Sequence, residues 1–243
     1  MSANSLRLTR CFGAMLLAAC AGSQPGGTSD STPAPQSRQA ATPVRSDTAW
    51  RSLVSLDNWR GYRTQAAPTG WSANDSIITK SGVGQDIVSR ATYTDFELAF
   101  DWMLDAGGNS GIFYRATEEY NKIYWSAPEF ALLDNARHPD GRNPLTTAGA
   151  AHSLYAPPLG VVRPAGEWNV TRVVVRGAHA EHWLNGQKVV EFDYGSPDFT
   201  ARVARSKFAE WPNFAKATSG LIGIQGDHTG VLSIRNIRIR EYR

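Results

Sequence analysis

Two carboxylic acids and two amides lie close together in this sequence and are its first candidates for chemistry. Glu129 and Asp134 flank a short apolar run, Asn135 follows it, and Asn109 stands upstream beside two glycines. Buried carboxylates are costly unless they are paired or hydrogen-bonded, so a strand ending in them is not expected to be an ordinary core strand. We therefore predict that segment 107–135 forms two strands, the second running on to Asp134 and Asn135, whose ends line a ligand cleft.

Glu129 and Asp134 are also the kind of carboxylate pair that glycoside hydrolysis uses. Residues five positions apart point to opposite sides of a straight strand. The pair can therefore share a cleft only if the strand bends, or ends before Asp134.

The remaining ionisable candidates are a histidine and a lysine near the C-terminal end. Asp227 and His228 lie in a glycine-flanked turn, which makes His228 the best histidine candidate for acid–base work. A turn histidine that bonds only to local backbone is the alternative. Lys207 precedes an aromatic-rich loop, although a lone lysine is most often a solvated surface charge. The histidines are scattered without an HExxH spacing, so the sequence gives no support for a zinc site: His138, His152, His179, His182 and His228.

Composition excludes several classes of function. The 25 basic and 22 acidic residues nearly balance, which argues against nucleic-acid binding. The 2 cysteines, Cys11 and Cys20, precede the folded part, so neither a disulfide framework nor a cysteine metal site is expected there. No GxSxG elbow and no phosphate-binding glycine loop is present. The 8 tryptophans and 8 tyrosines suit both a sandwich core and stacking on sugars.

The N-terminal region reads as an export and tethering segment. Residues 1–19 resemble a lipoprotein signal peptide, with Cys20 as the lipidated residue after cleavage. An ordinary secretory signal cut nearby is the alternative. Residues 20–46 are rich in small and polar residues and predict a disordered tether. Residues 47–243 form the predicted folded domain, held at a membrane by lipid alone, most simply the outer membrane, facing the periplasm or the cell surface.

Short alternating segments predict an all-β sandwich of two antiparallel sheets. Apolar residues alternate with polar ones over 96–104, and Asn185-Gly186 is a strong two-residue hairpin signal. The last strand breaks its alternation near Asn236, which indicates a bulge. Helical turns are expected only at 47–53 and 201–208.

Several motifs, in order along residues 55–242, resemble the 3-keto-disaccharide hydrolase domain family. The resemblance implies a concanavalin-like jelly roll, also described as laminin-G-like. The matching stretches are Asp95-Phe96-Glu97-Leu98, Gly108-Asn109-Ser110-Gly111-Ile112-Phe113-Tyr114-Arg115, Pro128-Glu129, Leu133-Asp134-Asn135-Ala136, His138-Pro139-Asp140, Ser153-Leu154-Tyr155, Gly166-Glu167-Trp168-Asn169, Glu181-His182-Trp183-Leu184-Asn185-Gly186, Ser206-Lys207-Phe208 and Arg235-Asn236-Ile237.

The chain departs from the pattern of that family in three places. Ala131 stands where the family usually has glutamine, on the same strand face as Glu129. Ala156 replaces an acid that commonly follows the Leu-Tyr pair, and the Gln-Asp-His-Gly turn has an inserted glycine, Gly226, and an added threonine, Thr229. Each change touches the expected pocket.

The reaction that the resemblance implies is cleavage of a 3-keto-glycoside by β-elimination and hydration. The C3 ketone acidifies the hydrogen on C2, so the site needs a base, donors for the enolate oxygen and an acid for the leaving group. His228 and Glu129 are alternatives for the base, Lys207 and Arg115 are enolate stabilisers, and Asp134 is the partner or acid. A divalent cation would suit the enolate role, but the sequence does not require one. The expected substrate-binding residues are Asn109, Arg115, Asn135, Tyr155, Gln225 and Asp227.

Two other functions stay open on the sequence. The same fold can serve as a non-catalytic carbohydrate-binding module, or as a structural surface lipoprotein with a degenerate pocket. An enzyme of the implied kind would depend on an upstream sugar oxidoreductase for its keto substrate.

Overall fold

Two antiparallel sheets stack face to face in the computed structural model, which describes residues 49–242. The predicted fold class is confirmed. The predicted signal peptide, Cys20 and the tether lie outside the described residues. Within 49–242, no helix has both the length and the apolar character needed to cross a bilayer.

The strands are short and follow one another with little helix between them. They are β1 (Arg51–Ser52), β2 (Trp59–Gly61), β3 (Trp71–Asn74), β4 (Ile77–Ser81), β5 (Ile87–Tyr93), β6 (Phe96–Leu104), β7 (Asn109–Ala116), β8 (Glu129–Leu133), β9 (Asn169–Arg176), β10 (His179–Leu184), β11 (Gln187–Asp193), β12 (Gly220–Ile224) and β13 (Val231–Glu241). The α-helix is α1 (Pro197–Arg205), and 3-10 turns occupy Leu56–Asn58, Ile123–Trp125, Pro139–Arg142, Pro144–Thr146 and Lys207–Glu210.

One sheet has eight strands and the other has five. The larger sheet has the order β11-β10-β9-β6-β13-β4-β3, with β1 also pairing with β13, and the smaller has the order β2-β5-β12-β7-β8. The alternation in β6 buries its apolar face completely: Phe96, Leu98 and Phe100 are at most 1 % exposed. These side chains join Ile112 and Phe130 of the five-stranded sheet in one core, so burial of apolar surface holds the two layers together.

Two features predicted in the second half of the chain, a hairpin turn and a bulge, are present in the structure. Asn185 and Gly186 both have positive φ (49° and 85°) and connect β10 to β11, as the hairpin signal predicts. Asn236 has φ 56° at the place where the register between β13 and β6 shifts, so the predicted bulge is confirmed.

The helical predictions are correct only in part. Within 49–53, the described part of the first predicted segment, Arg51 and Ser52 pair with β13 instead of forming a helix. The second helix begins earlier than expected, at Pro197, because the Ser196 side chain accepts the Phe199 amide as an N-cap.

A buried hydrogen bond joins the two sheets inside the core. Tyr114 of β7 lies with its hydroxyl 2.7 Å from His182 Nε2 on β10, and His182 Nδ1 is 3.0 Å from the Gly149 carbonyl oxygen. Burial lowers the pKa of His182 to about 4, so the ring is neutral near pH 7. It therefore donates from Nδ1 to Gly149 and accepts from Tyr114.

We expect Tyr114→Phe to lower the free energy of unfolding by about 1–3 kcal/mol, because it leaves the buried His182 Nε2 without a donor. Urea unfolding followed by circular dichroism measures the effect. Tyr124→Phe is the matched control, since no hydrogen bond is found for the Tyr124 hydroxyl within residues 49–242. Equal stability of the two variants would contradict the structural role given to the Tyr114–His182 bond.

Candidate active site

A buried carboxyl group lies on the outer face of the five-stranded sheet. Glu129 begins β8 opposite Phe113 of β7 and is 7 % exposed. Its Oε1 lies where a side chain at position 111 would stand: a Cβ on Gly111 would be only 2.3 Å away. Glycine at position 111 is therefore required for the carboxyl group to lie flat against β7.

Burial makes Glu129 a weaker acid than an exposed glutamate. It raises the pKa of Glu129 to about 7, against the opposing positive charges of Lys207 and His228. A carboxyl group with this pKa can both accept and release a proton near neutral pH, which suits general acid–base catalysis.

His152 connects this carboxyl group to Lys207. Its Nδ1 lies 3.9 Å from Glu129 Oε1, and its Nε2 lies 3.0 Å from Lys207 Nζ. Burial, together with the Lys207 charge, lowers the pKa of His152 to about 4. The neutral ring accepts a hydrogen bond from the ammonium group through Nε2 and carries its proton on Nδ1, facing Glu129.

Sequence reasoning did not select His152, because its neighbours are Ala151 and Ser153 and no spacing motif includes it. Its position depends on backbone pairing: the His152 amide donates to the Glu129 carbonyl oxygen at 3.0 Å. The pairing places His152 beside Glu129, 23 positions earlier in the sequence.

Two residues with amide side chains lie next to Gly111 in the five-stranded sheet. Asn109 is two positions from Gly111, so strand alternation places both on the side of Glu129. Its Nδ2 lies 3.5 Å from His138 Nε2. Gln225 follows β12, and its backbone amide donates to the Gly111 carbonyl oxygen at 2.9 Å. These predicted binding residues are thus near Glu129.

The turn after Gln225 is held by two buried charged residues. The Gly226 amide donates to Asp86 Oδ1 at 2.8 Å, and burial raises the pKa of Asp86 to about 6. Lys80 Nζ donates to the His228 carbonyl oxygen at 2.6 Å. Gly226 itself packs so tightly that a Cβ would be 2.1 Å from the Gln85 carbonyl oxygen. The inserted glycine therefore has a packing function.

His228 and Asp227 lie at the edge of the site. His228 is half-exposed, and its charge is close enough to lower the pKa of Glu129. Asp227 Oδ2 is 3.3 Å from Lys122 Nζ, and Asp227 Oδ1 is 3.8 Å from His228 Nε2. Asp227 thus lies between Lys122 and His228 at the turn.

Asp134 and Asn135 have structural contacts instead of facing Glu129. The strand ends before Asp134, which corrects the prediction that it continues through Asn135. Asp134 accepts the amides of Gly107 and Ala136 at 2.7 and 3.1 Å. Asn135 Oδ1 accepts the Ala148 amide at 2.8 Å. Their oxygens close turns, so the geometry does not support an acid role for Asp134 or a ligand contact for Asn135.

Arg115 and Tyr155 lie away from the Glu129 carboxyl group. A bulge between β7 and β12 gives Arg115 a positive φ of 55°, and its Nη2 donates to the carbonyl oxygens of Thr94 and Gly177. Tyr155 donates to Asp198 of α1 at 2.7 Å. The enolate role expected for Arg115 is thus not supported by its position, because the bulge directs the side chain toward the other sheet.

An aromatic wall stands beside Lys207. We use this name for Tyr120, Tyr124, Trp125 and Trp211. Trp125 and Trp211 stack with centroids 4.0 Å apart, and Lys207 Nζ lies 5.5 Å from the Tyr124 ring centre. All four rings are half-buried, so they expose apolar surface next to the charged groups.

Within residues 49–242, one group of acidic and histidine side chains is close enough to hold a metal ion: His179, Glu181 and Glu191. It belongs to β10 and β11 of the eight-stranded sheet. Lys188 already bonds both carboxylates. This group is therefore unrelated to Glu129, and a divalent cation at the Glu129 site stays a prediction.

Replacing Glu129 with Gln should stabilise the protein in a pH-dependent way. Between pH 4.5 and 7 the unfolded carboxyl group ionises while the folded one stays protonated, so the wild type loses stability as pH rises, reaching a constant penalty above about 7. We expect Glu129→Gln to exceed the wild type by up to about 3 kcal/mol at pH 8, and by little at pH 4.5. Chemical unfolding across this range measures it, with exposed Glu210→Gln as control. A pH-independent difference would contradict the raised pKa.

Known proteins similar to this chain agree with its fold. A 3-keto-disaccharide hydrolase of Bacteroides thetaiotaomicron is 32% identical over 219 residues, covering 76% of this chain and 75% of the relative. A crystal structure of a candidate glycosyl hydrolase from Parabacteroides distasonis has a TM-score of 0.75 at 29% identity, covering 80% of this chain and 94% of that one.

A galectin-like protein from Bacillus subtilis has a TM-score of 0.54 at 14% identity, covering 79% and 94% of the two chains, and shows the jelly-roll architecture alone. The resemblance to the 3-keto-disaccharide hydrolases is thereby confirmed by the relative and by a family model. Residues 49–240 match the model of the 3-keto-alpha-glucoside-1,2-lyase-like domain, and the chain belongs to this family.

Proposed function

We propose that this protein cleaves the glycosidic bond of 3-keto-glycosides or 3-keto-disaccharides, with the Glu129 carboxyl group as the proton carrier. The observation that carries this proposal is a buried carboxyl group with a pKa of about 7, next to a neutral histidine that is bonded to a lysine. The function named for the relative from Bacteroides thetaiotaomicron supports the same substrate class.

The proposed reaction is an elimination followed by hydration. Glu129 removes the C2 proton, and the electron pair moves toward the C3 ketone to form an enolate. The C1–O bond then breaks, and the leaving oxygen takes a proton. Water adds to C1 of the resulting enone and a proton returns to C2, so the net change is hydrolysis.

Each step has a group of suitable chemistry near Glu129. Lys207 is a cation that would stabilise the enolate oxygen, and His152 fixes its ammonium group through the 3.0 Å hydrogen bond. Glu129 is favoured over His228 as the base because its carboxyl group is buried and its pKa is raised. His228, half-exposed at the edge, is then available to protonate the leaving group.

The aromatic wall and the amides of Asn109 and Gln225 would bind the sugar. Pyranose rings present apolar C–H faces that stack on aromatic rings, and their hydroxyl groups need donors and acceptors. Exposed aromatic surface beside Lys207 supports a carbohydrate ligand on this face.

A carbohydrate-binding module without catalysis is the second candidate function. Ala131 favours it, because its short side chain is only 3 % exposed and offers no polar group where the family usually has glutamine.

We also propose that the chain works outside the cytoplasm, held by lipid on Cys20 at a membrane, with an oxidoreductase that oxidises the C3 hydroxyl supplying its substrate. The apolar run before Cys20 and the small residues preceding it support export.

Turnover of a 3-keto-glucoside tests the activity. We expect monosaccharide release by the wild type, a loss of about 10²–10⁴-fold for Glu129→Gln, and about 10²–10³-fold for Lys207→Met. Glu210→Gln is the control and should keep wild-type rates. In D₂O the product should carry deuterium at C2 above the level of an enzyme-free sample, and its absence would exclude elimination. Saturable binding by calorimetry without turnover would select the binding module.

The pH profile separates the role of Lys207 from simple loss of structure. With Glu129 as base, the rising limb of the kcat/KM profile should have its midpoint near pH 7. The Lys207 charge lowers the pKa of Glu129, so Lys207→Met should move the rising limb to higher pH. Lys216→Met is the control, since Lys216 is not among the charges acting on Glu129. If the rising limb of the pH profile stayed at the same pH in Lys207→Met, the proposed effect of the Lys207 charge on the Glu129 pKa would be contradicted.

A further inference from the structure

A cavity whose lining does not include Glu129 lies where the sandwich meets α1 and the segment that follows it. Its volume is about 770 Å³, within the range of sites that take small organic molecules. The wall includes Arg115 of the bulge in β7, the β9–β10 turn, the end of β11 and much of 199–218. We call it the Arg115 cavity.

The lining combines aromatic rings with positive charge. Five aromatic residues contribute: Tyr194, Phe199, Phe208, Trp211 and Phe214. Among the described residues that line it, Arg115 and Lys216 are cations and none is a carboxylate. An apolar chamber with only cationic charge is complementary to an apolar anion.

Arg115 has an unused donor in this setting. The residue is 4 % exposed, and all its hydrogen bonds found within the described chain go through Nη2, to Thr94, Asp95 and Gly177. Its Nη1 forms no hydrogen bond with those residues and, unlike Nε, is not enclosed by them. Guanidinium donors of a residue with so little exposure are normally satisfied, so an unpaired Nη1 points to a missing acceptor.

We propose that the Arg115 cavity binds an aromatic carboxylate. The carboxylate accepts a charge-assisted hydrogen bond from Arg115 Nη1, and its ring packs against Phe208, Phe214 and Trp211. Phe208 and Phe214 already stack on each other with ring centroids 4.0 Å apart, so aromatic packing surface is present in this cavity.

A sugar does not fit this chemistry. Apart from the two cations, the hydroxyl groups in the lining are those of Tyr194, Thr200 and Thr218, which are too few to replace the water lost by the many hydroxyl groups of a sugar. The cavity is therefore distinct from the carbohydrate face, although the two share Trp211, which stacks on Trp125 of the aromatic wall. The inference does not rest on the proposed glycoside cleavage.

Calorimetric titration of the purified chain with trans-cinnamate tests the proposal. Cinnamyl alcohol has the same ring and chain without the charge, and octanoate has the charge without the ring. Ala204 lines the cavity from the exposed side of α1, whereas Ala201 lies on the same helix and does not line it. Ala204→Trp should place an indole ring inside the chamber and narrow it, and Ala201→Trp is the matched control.

We expect saturable cinnamate binding that is at least about tenfold weaker in Ala204→Trp and unchanged in Ala201→Trp. Cinnamyl alcohol and octanoate should each bind at least about tenfold more weakly than cinnamate. Arg115→Lys, which keeps the charge and removes the Nη1 and Nη2 donors, should show the same loss. If this variant does not fold by circular dichroism, the comparison of Ala204→Trp with Ala201→Trp decides.

No cinnamate binding would overturn the proposal. Undiminished binding by Ala204→Trp would place the ligand elsewhere and would also overturn it. If cinnamyl alcohol bound as tightly as cinnamate, the proposed bond between the carboxylate and Arg115 would be wrong. If octanoate bound more tightly than cinnamate, the proposal that the ligand is aromatic would be wrong.

Discussion

The burial of one carboxyl group is the constraint on which the proposed chemistry of this protein depends. Glu129 loses contact with water at the first residue of β8, and it can do so only because Gly111 on the neighbouring strand has no side chain. Desolvation then brings the pKa of Glu129 close to neutrality, while Lys207 and His228 limit the rise. A bulkier residue at position 111 would push the carboxyl group out and return it to an ordinary surface acid.

The two faces of β7 separate two kinds of environment. Asn109, Gly111 and Phe113 alternate onto the outer face with Glu129, whereas Tyr114 points into the core and bonds to His182. The bulge then turns Arg115 away from the outer face, because a residue with positive φ breaks strand alternation. One strand thus serves the candidate active site, the core and the Arg115 cavity.

The departures from the family pattern have different physical meanings. Gly226 is needed where the turn before His228 lies against the backbone of Gln85, and Asp86 accepts its amide. Ala131 lies under the 149–150 backbone, whose carbonyl and amide groups bond to it. The first change preserves the position of His228, while the second removes a polar side chain from the outer face.

The sequence by itself determined the architecture and part of the site. Strand alternation, the Asn185-Gly186 turn and the bulge at Asn236 are local patterns. The backbone preferences of the residues involved favour the same local structure in the folded protein, so these features can be predicted from the sequence. Glu129 and Lys207 could be selected because their residue types suit the chemistry.

Only the tertiary structure decided how those groups meet. His152 lies between Glu129 and Lys207. Asp134 and Asn135 accept hydrogen bonds from backbone amides in turns, and Arg115 points to the opposite side of β7. Residue type states what a side chain can do, but strand register and bulges set the direction in which it points. These depend on pairing between distant segments, which no local pattern contains.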